Sequence, residues 1–162
     1  MNRIWTAGVS LALILTASPG SATQRFRAGL DAYDQGRFAS AFWYWRERAA
    51  KGGVKSESAL GMLYYRGLGV KQDDRMAARW FRRAADKGEP TAQFLLGLFF
   101  LQGRGVARNY VNAYVWCDLA MSRGYSDALS CRDRAGLHMS DRDFQRADAL
   151  TAHWLRRWRL KE

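Results

Sequence analysis

One spacing constrains this chain more than any other feature: small and aromatic residues return along it every 36 positions. Gly61-Met62-Leu63-Tyr64-Tyr65-Arg66-Gly67-Leu68-Gly69-Val70 aligns with Gly97-Leu98-Phe99-Phe100-Leu101-Gln102-Gly103-Arg104-Gly105-Val106, and Gly61/Gly97, Gly67/Gly103, Gly69/Gly105 and Val70/Val106 are identical. The register extends outward through Ala41, Ala77 and Ala113, through Tyr44, Trp80 and Trp116, and through Gly52, Gly88 and Gly124. A period of this length marks supersecondary units that cannot bury their apolar faces alone and must stack on one another.

Each recurring residue has a mechanical use. Gly61 and Gly97 sit mid-helix, where a missing side chain admits a close neighbour at a cost in helix propensity. Gly67-x-Gly69 and Gly103-x-Gly105 stop a helix and turn the chain. Asp73 and Asn109 suit the N-cap of the next helix. Within it, Ala77 and Trp80, or Ala113 and Trp116, share a face by their spacing of three. Gly88 and Gly124 end it, and Glu89-Pro90 opens another with Pro in the first turn.

The pattern predicts short antiparallel helices near 24–35, 38–51, 56–66, 73–87, 90–102, 109–123, 126–138 and 140–159. The first pair is compressed, because Gly29 and Tyr33 precede Gly61 and Tyr65 by 32 while Ala41 precedes Ala77 by 36. A tight turn at Gln35-Gly36 therefore replaces the glycine loop. The units run over 23–52 (shortened pair), 53–88, 89–124 and 125–162, the last containing a terminal capping helix. Ser140-Asp141-Arg142-Asp143 opens that helix as a variant capping box.

Leu60-Gly61-Met62-Leu63-Tyr64, Gly67-Leu68-Gly69-Val70, Met76-Ala77-Ala78-Arg79-Trp80 and Ala84-Ala85-Asp86-Lys87-Gly88 together closely resemble the Sel-1-like repeat unit, a relative of the tetratricopeptide repeat. The next unit departs modestly, with Phe99-Phe100 in place of Leu-Tyr. The resemblance covers roughly residues 26–158. It implies an all-α fold, a right-handed α/α superhelix of antiparallel helix pairs, and a scaffold for protein–protein contacts rather than an enzyme.

Residues 1–22 read as a secretory signal: a positive start at Arg3, an apolar run from Ala7 to Ala17, and small residues at Pro19-Gly20-Ser21-Ala22. That run falls short of the roughly 20 apolar residues a spanning helix needs. The expected location is bacterial periplasm or the extracellular medium. With 26 Lys and Arg against 15 Asp and Glu, a net charge of +11 favours an anionic partner. Export makes nucleic acid the weakest of the anionic candidates.

Export also lets Cys117 and Cys131 pair. Each lies seven residues from Gly124, on opposite sides of a helix turn. Antiparallel helices rise equally from a turn, and seven residues is close to two full turns, so the thiols reach one height on one face. The alternative is two buried free thiols. His138 and His153 stand apart from any acid or nucleophile at a motif spacing, no loop has the residues of a phosphate cradle, and no metal or cofactor is expected.

Partner binding is sought in apolar residues that the repeat does not require. Phe26, Leu30 and Tyr33 align with Ser58, Met62 and Tyr65, then with Phe94, Leu98 and Leu101, each trio on one helical face. Either they line an aromatic groove or they pack neighbouring first helices together. The tail from His153 to Lys161 either seals the core through Trp154 and Trp158 or rests on an anionic surface. Two functions follow: a monomeric adaptor that holds, and could regulate, another exported or envelope protein, or a cationic factor acting on peptidoglycan or anionic lipid.

Overall fold

The computed structural model describes residues 22–159; apart from Ala22, the signal-like stretch lies outside the described residues. Eight helices and no strand fill that range: α1 (Ala22–Asp34), α2 (Phe38–Ala50), α3 (Val54–Arg66), α4 (Asp74–Ala85), α5 (Pro90–Gln102), α6 (Tyr110–Ser122), α7 (Ala128–Gly136) and α8 (Asp141–Arg159). Successive helices from α1 to α7 pack against each other, as an α-solenoid of antiparallel pairs requires.

Local chemistry sets the ends. Asp73 and Asn109 lie in extended backbone, and their side chains accept the Met76 and Asn112 N–H groups at 2.9 Å. Gly67 and Gly103 take left-handed φ values of +68° and +73° at the C-caps of α3 and α5. The N–H groups that follow them, of Leu68 and Arg104, return to the carbonyls of Leu63 and Phe99. In the compressed first pair Gly36 turns at φ +71°, and Arg37 N–H donates to Ala32.

The mid-helix glycines are sockets. A Cβ on Gly61 would stand 2.5 Å from the Phe81 ring, one on Gly97 2.3 Å from the Cys117 sulfur, and one on Gly29 2.2 Å from the Trp45 indole. Trp45, Phe81 and Cys117 are themselves 36 apart, so each pair locks by one residue of its second helix set into a glycine of its first. All three are buried, and full burial of a phenylalanine such as Phe81 contributes about 1.5–3 kcal/mol.

The second glycine of each loop joins one repeat to the one before. A Cβ on Gly69 would lie 2.5 Å from the Phe38 carbonyl carbon, and one on Gly105 2.1 Å from the Asp74 carbonyl oxygen. Both loops thus rest on the backbone at the N-terminal end of the preceding second helix. Arg104 adds a two-pronged pair to the Asp74 carboxylate at 2.9 and 3.0 Å.

α8 does not form a hairpin with α7; it packs on α6. Its Ala147, Trp154 and Trp158 join the cluster of Val111, Val115, Trp116 and Leu119 from α6 and Phe81 from α4. The Trp158 indole N–H donates to the Asp86 carbonyl at 3.0 Å, which ties the end of α8 to the end of α4. Ser140 and Asp143 cap α8 reciprocally, and these bonds hold the Asp143 carboxyl below the ordinary aspartate range.

Candidate functional site

Two surfaces present functional groups: the side formed by α1, α3, α5 and α7, and the side formed by α2, α4, α6 and α8. On the first, the apolar stripe divides between contacts and exposed residues. Phe26 lies 6.1 Å from the Trp45 ring, and its carbonyl accepts the Trp45 indole N–H. Tyr33 packs on Phe38 and Trp45, and its hydroxyl accepts from Arg66 of α3 at 3.2 Å. Tyr65 sits 5.6 Å from Phe99 of α5, with the Arg104 guanidinium 4.6 Å from its ring. Phe94 stacks on Tyr125 at 5.0 Å, Leu98 packs toward α7, and Leu101 is buried. Leu30 is 39% exposed and Met62 is half-buried without a ring partner. Most of the stripe therefore touches a neighbouring repeat, and Leu30 with Met62 is what stays open.

Behind the α5–α7 contact, Cys117 and Cys131 are bonded, with Cα atoms 6.1 Å apart. That separation falls within the roughly 4.4–6.8 Å that disulfides span. Both residues are buried among Leu101, Ala113, Ala120, Ala128 and Ala135. Burial pushes the nearby Asp118 carboxyl above its ordinary range, partly offset by Arg132 at 3.7 Å.

The second side is cationic and aromatic. Arg83 lies 4.8 Å from the Trp80 ring, Arg82 5.2 Å from Trp116, Arg123 4.6 Å from Trp158 and Arg157 5.1 Å from Trp154. Trp80 is half-buried, whereas Trp116, Trp154 and Trp158 are buried, so the tryptophans of the tail seal the core while Arg156, Arg157 and Arg159 face solvent.

One buried ion site escaped the sequence reading. Glu57 is wholly buried in α3, and its carboxylate is held by Lys87 at 2.8 Å and Arg83 at 3.1 Å. Its counterpart 36 residues on is Gln93, where the position of Arg83 is taken by Leu119. That paired exchange, Glu with Arg against Gln with Leu, was the available signal.

Among the described residues, His138 stacks on Tyr110 at 4.4 Å and His153 lies edge-on to Trp154 at 6.1 Å. Among the described residues no group of three His, Cys, Asp or Glu side chains is placed to hold a metal ion.

The Sel1 repeat model matches residues 54–89 and 90–125. Among solved structures, the chain superposes on a protective antigen of uropathogenic Escherichia coli that displays an SLR fold. The TM-score is 0.81 at 29% identity, over 88% of this chain and 31% of that one. This chain thus spans about a third of the antigen's length. A Sel1 repeat protein from Oxalobacter formigenes matches at a TM-score of 0.64 and 28% identity, covering 70% and 89% of the two chains. Helicobacter pylori cysteine rich protein B shares the fold at a TM-score of 0.55 and 20% identity, covering 67% of this chain and 92% of that one. No curated protein matches the chain in sequence. Sel1 repeats generally serve as scaffolds for protein–protein contacts. Two Sel1 repeats therefore lie at the centre of this chain, over residues 54–125, with helix pairs stacked in the same way around them.

Proposed function

We propose that this chain is an exported, non-enzymatic scaffold that holds another exported or envelope protein. The observation that carries the reading is the Cys117–Cys131 bridge inside a Sel1-repeat solenoid. Structural disulfides persist in oxidising compartments, and the signal-like residues 1–22 fit the same destination. The partner meets the open part of the odd-helix side at Leu30 and Met62, flanked by Phe26 and Tyr33. Those side chains are apolar or aromatic and stand on rigid helices, which suits a peptide or helix of the partner.

A second reading is favoured by the exposed Arg156, Arg157 and Arg159 at the end of α8: attachment to anionic lipid or peptidoglycan. One experiment separates the two. The chain is crosslinked in intact cells, recovered from the periplasmic fraction, washed, and its adducts analysed. The scaffold reading expects one dominant protein adduct; recovery of wall fragments or lipid alone favours the second reading and removes the first. Absence of the chain from the periplasmic fraction would overturn export for both.

A further inference from the structure

The two repeats treat one face of their second helix differently. On α6 that face carries Val111, Val115 and Leu119, and helix α8 lies on it. On α4 the residues 36 positions earlier are Arg75, Arg79 and Arg83, and no residue of α8 lines this surface. What lies there is an open groove of about 630 Å³, floored by Met76, Trp80, Leu96 and Phe100. The fold thus shows how a helix sits on this face in one repeat and leaves the same face uncovered in the other.

The charge of the groove specifies what can cover it. Four arginines line it, Arg75, Arg79, Arg82 and Arg83, and no acidic residue does. Arg82 is paired with Asp86 and Arg83 with Glu57. Arg75 and Arg79 have no carboxylate partner among the described residues, and both are exposed. They stand one turn apart, which puts their Cα atoms about 6 Å apart along the helix axis. The indole N–H of Trp80, in the same groove, finds no acceptor among the described residues. A recessed apolar floor among guanidinium groups, two of them without a carboxylate partner among the described residues, is complementary to a helix with an apolar stripe flanked by carboxylates. A flat anionic membrane would meet the arginines and leave the floor empty.

We propose that the α4 face docks an acidic amphipathic helix of a partner protein, laid across it much as α8 lies across α6. This rests on the scaffold reading and adds to it a second, charge-selected contact on the opposite side from Leu30 and Met62.

The test uses the full mature chain and three probes followed by fluorescence anisotropy or cosedimentation. These are a helical peptide with a Leu/Trp stripe flanked by glutamates one turn apart, the same peptide with lysine for glutamate, and vesicles of phosphatidylglycerol and phosphatidylcholine. The acidic peptide binds, and the lysine peptide does not. Arg75→Glu with Arg79→Glu weakens the acidic peptide by about tenfold or more and lets the lysine peptide bind, with an unchanged melting temperature. Met76→Asp, which places a charge on the floor, abolishes binding of the acidic peptide to the otherwise unaltered chain and of the lysine peptide to the Arg75→Glu, Arg79→Glu double variant. No saturable binding of the acidic peptide at its highest soluble concentration, binding unaffected by the double charge reversal, or vesicle binding that alone responds to it would each overturn the proposal. Crosslinks from the Leu30 side are untouched by these substitutions, so failure here is distinct from failure of the scaffold reading.

Discussion

Replacing Gly105 by alanine should destabilise this protein far more than one added methyl ordinarily does, because the change acts twice. Gly105 has φ +62°, a conformation that costs an L-residue about 1–2 kcal/mol. The new Cβ would also stand 2.1 Å from the Asp74 carbonyl oxygen and 2.8 Å from the Arg75 nitrogen. These are backbone atoms at the start of a helix whose Ala77 and Ala78 are already buried, so α4 cannot retreat. Overpacking of this sort costs about 1–3 kcal/mol more. The total of about 2–5 kcal/mol corresponds to a fall in melting temperature of about 4–20 °C for a chain this size. Gly124→Ala is the matched control: φ is +86°, but nothing lies within 4 Å of the added carbon. It should lose only the conformational part, about 1–2 kcal/mol. Thermal unfolding by circular dichroism compares the two under one buffer. Equal losses would refute the claim that successive repeats rest on each other through this glycine.

Other substitutions probe other contacts. Opening the Cys117–Cys131 bridge, which closes a loop of about 15 residues, should cost about 3 kcal/mol, read as a lowered melting temperature in reductant; no change would argue against a structural role. Lys87→Ala leaves the buried Glu57 carboxylate with Arg83 alone and should cost about 2–4 kcal/mol, whereas Glu57→Gln with Arg83→Leu, which copies the Gln93/Leu119 pair, should cost less than the sum of its two single changes; denaturant unfolding of the set decides. Because burial raises the folded-state pKa of Asp118, its ionised form opposes folding, so this group's contribution to stability falls as pH rises through the raised value. Asp118→Asn should therefore stabilise at neutral pH, and the gain should vanish as pH drops below the ordinary aspartate range. A gain that persists in acid would contradict that cause.

Much of this architecture was legible in the sequence because it is written in residues whose backbone demands are unusual. The loop glycines, the Asp73 and Asn109 caps and the Ser140–Asp143 box all stand where spacing put them, and the eight helices begin and end within two residues of the expected bounds. The α3 start moved from 56 to Val54 because extended Gly53 serves as the N-cap. What spacing did not reveal depends on how helices cross. The aromatic triplet Tyr44, Trp80 and Trp116 stood out, but the residues seated on the glycines are their neighbours Trp45, Phe81 and Cys117, whose changing identity hides the repeat. Whether the Phe26-to-Leu101 stripe faced solvent turned on the distance between successive odd helices, which no single helix encodes. α8 was legible as a cap, but its seat on α6 required knowing that Val111, Val115 and Leu119 lack another cover.

The central claim, a scaffold that engages its partner through a defined face, is tested most directly by site-specific photocrosslinking in living cells. The reactive group is placed in turn at Leu30, at Met62 and at Leu137, which is 83% exposed but belongs to neither binding face. The account predicts one discrete protein adduct from Leu30 and Met62 and none from Leu137. The same adducts from all three positions, or none from any, would contradict it.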